Sequence, residues 1–440
     1  MKKLFVFNCS LFIISIGFAQ ETTRDTIHSL KIVNISTAIT SDSNTLRQPI
    51  SITKLNATEL KRGTGLFLDD AINVNVPGVF MERRTISAGQ QFNIRGYGNG
   101  ARGTNGVNSN FDGQGSKVYL NNIPVTDAEG ITLMDDIDFG SVGSVAIQKG
   151  PSGTLYGLAI AGAVNLKTIT AEKGKISLQQ DALIGDFGLQ RHTTHLAIGG
   201  ANSSLLVNYG KQYYDGFMPH TSSHKDFVNF MGEFQHSEKQ KITTYLGYSN
   251  SYDERNGELT ITQYNSLDYS GNPAYIKNDA HSNVMSVRSG VSHNYQLCKY
   301  FSNTTSLFGT GIISNVSSAG GWTDKDPINY GLRSTFDLNF PLGEKFGLSG
   351  VLGTEMQRQD AQIIGYNMVT DSTNISGYNI VGTMRSNQVT QSKTISLFTE
   401  WVLNMPYNFT LTAGIGSSTM GIQLNDRFYV AANNKPVNGK

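Results

Sequence analysis

Leu332-Arg333-Ser334-Thr335-Phe336-Asp337-Leu338-Asn339-Phe340 places Leu332, Ser334, Phe336, Leu338 and Phe340 on one face of an extended chain and Arg333, Thr335, Asp337 and Asn339 on the other. Successive side chains of a strand point to opposite faces, so this segment reads as a strand lying between an apolar and a polar medium. The pattern recurs. Ile395, Leu397, Thr399, Trp401 and Leu403 alternate with Ser396, Phe398, Glu400, Val402 and Asn404, and the runs Ile242, Thr244, Leu246, Tyr248 and Leu205, Val207, Tyr209 repeat it. Alternation over segments of about ten residues marks a transmembrane β-barrel, although a soluble β-sandwich also alternates.

The joins separate those two folds. From residue 175 onward the pattern predicts about eleven strands. Tight turns fall near Gly199–Ser203, Ser237–Lys241, Gln296–Tyr300, Pro341–Lys345 and Asn404–Tyr407. The joins between them, near 185–189, 214–225, 252–283, 315–329 and 361–392, are long in all but the first case. Short turns on one rim and long loops on the other describe an outer-membrane barrel; a sandwich has no reason to lengthen every second join. Eleven is odd where single-chain bacterial barrels are even, and the final residues Asn433–Lys440 read as a loop. The expectation is the first part of a barrel of about 22 strands.

Composition agrees. Lys and Arg number 35 against 34 Asp and Glu, only 16% of residues are charged, and Gly contributes 47 of 440. Soluble domains carry about 25% charge. The balance excludes a basic nucleic-acid-binding face and a charge-rich disordered chain. Two cysteines, Cys9 and Cys298, exclude a disulfide scaffold and a cysteine zinc site. No Gly-x-Ser-x-Gly elbow, His-Glu-x-x-His pair or P-loop is present, so no enzyme is expected, and no cofactor or metal.

The N-terminus divides into parts. Met1-Lys2-Lys3, an apolar run from Leu4 to Phe18, and Ala19 before Gln20 form a secretory leader over residues 1–19. Residues 20–48 are polar and extended, apart from the β-prone patch Leu30-Lys31-Ile32-Val33-Asn34-Ile35. Residues 49–170 read as a compact α+β unit. Its elements are a strand at Pro49–Thr53, short helices near Ala57–Leu60 and Leu66–Ile72, and strands at Gln91–Ile94, Lys117–Leu120 and Val142–Gln148. The glycine- and asparagine-rich stretch Asn99–Gly115 reads as a surface loop.

Several stretches of that unit run in a telling order: Phe92-Asn93-Ile94-Arg95-Gly96-Tyr97-Gly98, then Lys117-Val118-Tyr119-Leu120-Asn121-Asn122-Ile123-Pro124-Val125, then Val145-Ala146-Ile147-Gln148-Lys149-Gly150-Pro151-Ser152-Gly153-Thr154-Leu155-Tyr156-Gly157, and last Ala161-Gly162-Ala163-Val164-Asn165. Together they resemble the plug domain of TonB-dependent outer-membrane receptors. Lys149 stands where the family usually has Arg, Ala161-Gly162 where it has Gly-Gly, and Asn121-Asn122 where it has Asp-Gly.

The resemblance implies an α+β plug filling a barrel in the outer membrane, its N-terminal segment periplasmic and its outer wall in lipid. It implies a TonB box at Leu30–Ile35 that adds as a strand to TonB, itself powered by ExbB-ExbD, and uptake of a ferric siderophore or similar iron complex. It also implies that Arg95 and Lys149, within the plug motif Arg95, Gly96, Lys149, Gly150, Pro151, Tyr156 and Gly157, face barrel carboxylates. Glu355 and Glu400 lie on the polar faces of their strands and are the candidates. Arg102, Asn105 and Asn108 of the Gly/Asn loop, with Tyr214, His220 and Trp322 of the long joins, are the candidate ligand contacts. Haem, cobalamin, a glycan or a peptide are alternative cargoes, and an exported adhesin is the reading from another class. Only about 29 residues lie between leader and plug, too few for the extra domain of glycan importers.

Overall fold

The computed structural model describes residues 51–61, 67–83, 85–97, 115–343, 346–428 and 438–439. The expected leader at residues 1–19, the patch Leu30–Ile35, and Arg102, Asn105 and Asn108 lie outside the described residues.

The plug is built on a five-stranded sheet. In chain order its elements are β1 (Ser51–Leu55), α1 (Ala57–Leu60), α2 (Leu68–Asn75), β2 (Val79–Glu82), β3 (Gln91–Ile94), β4 (Ser116–Leu120), β5 (Ile123–Pro124), β6 (Val142–Lys149), α3 (Gly153–Tyr156) and β7 (Gly162–Thr168). The sheet order is β1-β6-β7-β4-β5, with β4 and β7 parallel, while β2 and β3 form a separate pair. Helix α1 starts at a capping box: the Asn56 side chain accepts from the Thr58 and Glu59 amides, and the Glu59 carboxylate accepts from the Asn56 amide. Asn121 and Asn122 both sit at positive φ, 50° and 69°, which makes the two-residue β4–β5 hairpin possible. Leu60, Ile72, Ile94, Val118, Ile147 and Val164 are among the fully enclosed side chains of the core.

The wall is one antiparallel sheet. It runs through β8 (Ile176–Ile184), β9 (Gln190–Gly199), β10 (Ser203–Tyr214), β11 (Ser223–Ser237), β12 (Gln240–Glu254), β13 (His281–Cys298), β14 (Phe301–Ser318), β15 (Gly321–Lys325), β16 (Ile328–Pro341), β17 (Gly347–Val369), β18 (Ile380–Asn404), β19 (Thr410–Asp426) and the two-residue β20 (Asn438–Gly439). β15 and β16 both lie between β14 and β17 and act as one wall strand broken at Asp326-Pro327. With those two merged and β20 set aside, the wall has eleven strands among the described residues, the number that the alternation predicts. Its terminal strands, β8 and β20, are not paired with each other.

Three expectations need adjustment. The 315–329 join is mostly strand, with only Ala319-Gly320 turning the chain between β14 and β15. β17 spans 23 residues and β18 spans 25, where a tilted membrane strand needs about 9–11. The ladder therefore continues well past the apolar band, and the 361–392 join shrinks to the segment between Val369 and Ile380. The long 252–283 join also carries two short helices, α4 (Ile261–Asn265) and α5 (Pro273–Lys277), started by Thr260 and Asn272 caps.

Alternation decides the two faces of the wall. Leu246, Val287, Leu307, Phe336, Leu352 and Leu397 stand exposed on the outside, as a lipid-facing band requires. Asn208, Asn229, Arg288, Arg333, Glu355 and Ser392 are buried on the inside, against the plug.

Candidate functional site: the seam between plug and barrel

Arg288 of β13 anchors one side of the seam. Its Nε donates to Asp136 Oδ2 at 2.8 Å and its Nη2 to Oδ1 at 3.1 Å, while Nη1 reaches Val125 O at 3.1 Å and Nη2 also reaches Leu133 O at 2.7 Å. Tyr245 of β12 donates its hydroxyl to Asp136 O at 2.9 Å, and Asn229 of β11 donates to the same carbonyl. Arg191 of β9 pairs with Asp138, whose own amide donates to Asn229 Oδ1 at 3.0 Å. Lys225 of β11 donates to Ser87 O at 3.2 Å, and Gln212 of β10 to Ile86 O at 3.0 Å. Burial pushes the Asp135 carboxyl above its usual range, against the pull of the Lys225 ammonium.

Glu355 of β17 anchors the other side. It accepts from Lys117 Nζ, Tyr119 Oη and Arg333 Nη1, each at 2.9 Å, and from Gln357 at 2.8 Å. Burial first, and then the Glu355 charge, holds the Tyr119 phenol well above its ordinary pKa, so Tyr119 stays a neutral donor. The Arg333 guanidinium donates to Leu155 O at 2.8 Å and lies over the rings of Tyr119, Tyr156 and Phe398 at 4.9, 5.5 and 4.8 Å. Higher on the wall, Ser392 donates to Glu129 at 3.0 Å and Thr394 to Ala128 O at 2.7 Å.

Glu355 and Glu400 both face the plug, but not the partners named from the motif. Glu400 accepts from Thr154 Oγ1 at 2.6 Å. Lys149 donates instead to Pro77 O at 3.0 Å, inside the plug. Arg95 is a turn residue at φ 53°, followed by Gly96 at 88°, and its guanidinium lies against Gly150. The pairing of Arg95 and Lys149 with these glutamates is corrected to Lys117, Tyr119 and Thr154. The reason is one of level: β4 and α3, not the β6–α3 turn, lie opposite the glutamates. Tyr156 packs against Tyr119 at 5.2 Å between ring centres. Gly157, at φ 65°, sits so near β18 that a Cβ would collide with Ser396. Pro151 precedes Ser152, whose hydroxyl donates to Gly150 O at 2.9 Å.

The described ligand candidates are held by near neighbours: Tyr214 ends β10 and His220 lies between β10 and β11, whereas Trp322, expected on a long join, lies in β15, paired with β14 and β17. Tyr214 accepts from the Phe217 amide at 3.0 Å. His220, at φ 59°, has Nε2 3.1 Å from Ala280 O and packs against Tyr378. Trp322 donates to Asp324 at 2.7 Å and meets the His281 ring edge-on at 5.2 Å. Sequence reasoning missed Arg191, Arg288 and Lys117. The legible signal was a cation in mid-strand among small polar residues, as in Ser286-Val287-Arg288-Ser289.

A compact α+β domain held inside a polar-lined, lipid-faced β-wall defines a plugged outer-membrane barrel. Residues 44–164 match the TonB-dependent Receptor Plug Domain. Those residues carry that plug domain, and the chain shares the fold of the solved structures that follow. It is similar to the unliganded ferric citrate transporter FecA, with TM-score 0.72 and 13% identity over 88% of this chain and 59% of that one. It is also similar to the open form of the ferric-catecholate import receptor Fiu from E. coli K12, with TM-score 0.64 and 15% identity over 89% and 65%. The ferric yersiniabactin uptake receptor FyuA from Yersinia pestis gives TM-score 0.60 and 14% identity over 86% and 62%. The chain thus spans about three-fifths of the length of these structures.

Proposed function

We propose that this chain belongs to an outer-membrane receptor, with a periplasmic N-terminal segment, that imports a scarce large ligand by energy-coupled movement of its plug. The observation that supports this reading best is the chemistry of the seam. Apolar contacts from the wall come from a few side chains such as Leu206, Met231, Phe308 and Phe398. The rest are hydrogen bonds and ion pairs, which water can replace at small net cost when a polar interface opens. An apolar seam of the same extent would close the barrel permanently.

A ferric siderophore or other iron complex is the cargo we favour, since the similar structures carry names of iron-complex receptors. Arg102, Asn105, Asn108, Tyr214, His220 and Trp322 are its proposed contacts. The proposed energy route is β-strand addition of Leu30–Ile35 to TonB, driven by ExbB-ExbD. Val33→Pro removes a ladder donor. In the whole receptor it should abolish energised uptake of the radiolabelled iron complex while surface binding stays nearly unchanged. Normal uptake by this variant would move the TonB box elsewhere.

A further inference from the structure

Two cations interrupt the outward face of the wall. On that face β17 presents Leu348, Leu352 and Met356, and β18 presents Leu403, Trp401, Leu397 and Ile395, rising from the short turn that joins the two strands. Above these the ladder sets Arg358 and Lys393 directly opposite each other, both exposed. Arg358 lies eleven residues beyond Gly347, where β17 begins, so it stands where a band crossed in about 9–11 residues ends. That level is on the side of the long joins, which in an outer-membrane barrel is the outer leaflet. Like charges directly opposite on paired strands are destabilising. Asp360 relieves one of them, accepting from Arg358 Nε at 2.9 Å and Nη2 at 3.0 Å. Among the described residues of β16 to β19 it is the one carboxylate that alternation turns outward, since Asp337, Glu355, Glu400 and Asp426 turn inward. Two cations against one carboxylate leave a positive charge over.

The surroundings of the pair have a shape. Gly309, Tyr330, Arg358, Lys393 and Gly421 are partners in turn across β14, β16, β17, β18 and β19. A Cβ at Gly421 would meet nothing within 4 Å, and one at Gly309 only Asn329 O at 3.5 Å and Tyr330 Cβ at 3.9 Å. The row beneath, Leu307, Leu332, Met356 and Ile395, is apolar. The result is a shallow notch with glycine at both ends, two cations and a phenol on its floor, and a greasy ledge below. We propose that it binds the phosphate group of an anionic lipid of the outer leaflet, whose acyl chains lie along that ledge. With Asp360 engaged, Arg358 keeps three of its five N–H donors, and Lys393 offers three. Directly opposed residues have Cβ atoms about 4.5–5.5 Å apart, close enough for both side chains to reach one phosphate. A zwitterionic headgroup would bring its own ammonium against Lys393 and fit worse. Snorkelling alone accounts for cations at this level, but not for two of them face to face between glycines. The inference rests on the outer-membrane reading above and needs neither cargo nor plug movement.

The test titrates the whole receptor, in a neutral detergent, with dioleoyl phosphatidic acid or dioleoyl phosphatidylcholine and counts bound lipid by native mass spectrometry. Phosphatidic acid should bind saturably and more tightly than phosphatidylcholine, and inorganic phosphate, which lacks acyl chains, should displace it poorly. Arg358→Gln with Lys393→Gln should weaken phosphatidic acid by about 20- to 30-fold, roughly fivefold for each cation, and leave phosphatidylcholine unchanged. Arg358→Lys keeps the charge and should keep most of the affinity, which covers the case where the neutral variant fails to assemble. Lys211→Gln removes another outward cation, one already paired with Asp226 at 3.5 Å, and should change nothing. Equal binding of the two lipids, a neutral variant that binds like the wild type, or an equal loss in Lys211→Gln overturns the notch and leaves the outer-membrane reading standing. So does ready displacement by inorganic phosphate, which would make it a site for the free ion. A receptor that takes up neither lipid nor detergent overturns both.

Discussion

At Arg288 the wall offers the cation and the plug the anion; at Glu355 the wall carboxylate accepts from plug Lys117 and Tyr119 and from wall Arg333. The two anchors also solve different problems. Arg288 spends its donors on both oxygens of Asp136 and on two plug carbonyls, so it specifies where the Val125–Asp136 segment must lie. Glu355 stands between two cations that would otherwise repel each other in a buried site. One anchor reads geometry, and the other balances charge. A plug tied at both is held in position and in electrostatic register, and neither tie is covalent.

Three substitutions test that division. Glu355→Gln keeps the shape but leaves Lys117 and Arg333 facing each other uncompensated. Breaking a buried pair from one side costs about 3–5 kcal/mol. Amide hydrogen exchange along β4 should then quicken by roughly two to three and a half decades. Arg288→Lys retains charge and loses the fork, and should cost about 1.5–3 kcal/mol, read as faster exchange at Val125–Asp136 with β4 unaffected. If β4 loosens equally, the anchors are one unit and the contrast fails. Tyr119→Phe removes a single hydrogen bond to the charged Glu355 and should cost about 1.5 kcal/mol, the low end for a bond to a charged group. A larger loss would mean that the phenol, rather than Lys117, carries the plug's share of that anchor.

The fold was open to reading because a wall strand has a period of two and meets lipid on one side, so each strand declares its faces. The inward placement of Glu355 and Glu400 follows from the same rule. What periodicity cannot supply is height: which plug element meets a wall residue depends on the shear of the barrel and the tilt of the plug sheet. Lys149 therefore looked as eligible as Lys117, though one bonds within the plug and the other crosses to the wall. Asp135-Asp136-Ile137-Asp138 gave no periodic signal at all, since it lies in irregular chain whose position is dictated by its partners.

The β13–β14 turn carries Cys298, an exposed free thiol, beside Lys299 over the Tyr300 ring at 4.7 Å and the Phe301–Phe340 pair. It stands on the rim of short turns, opposite the rim where the long joins and their helices gather. The chain's other cysteine, Cys9, belongs to the leader segment read from the sequence. Within this chain the thiol is a compass needle: whatever forms a bond with that sulfur has arrived from the short-turn side.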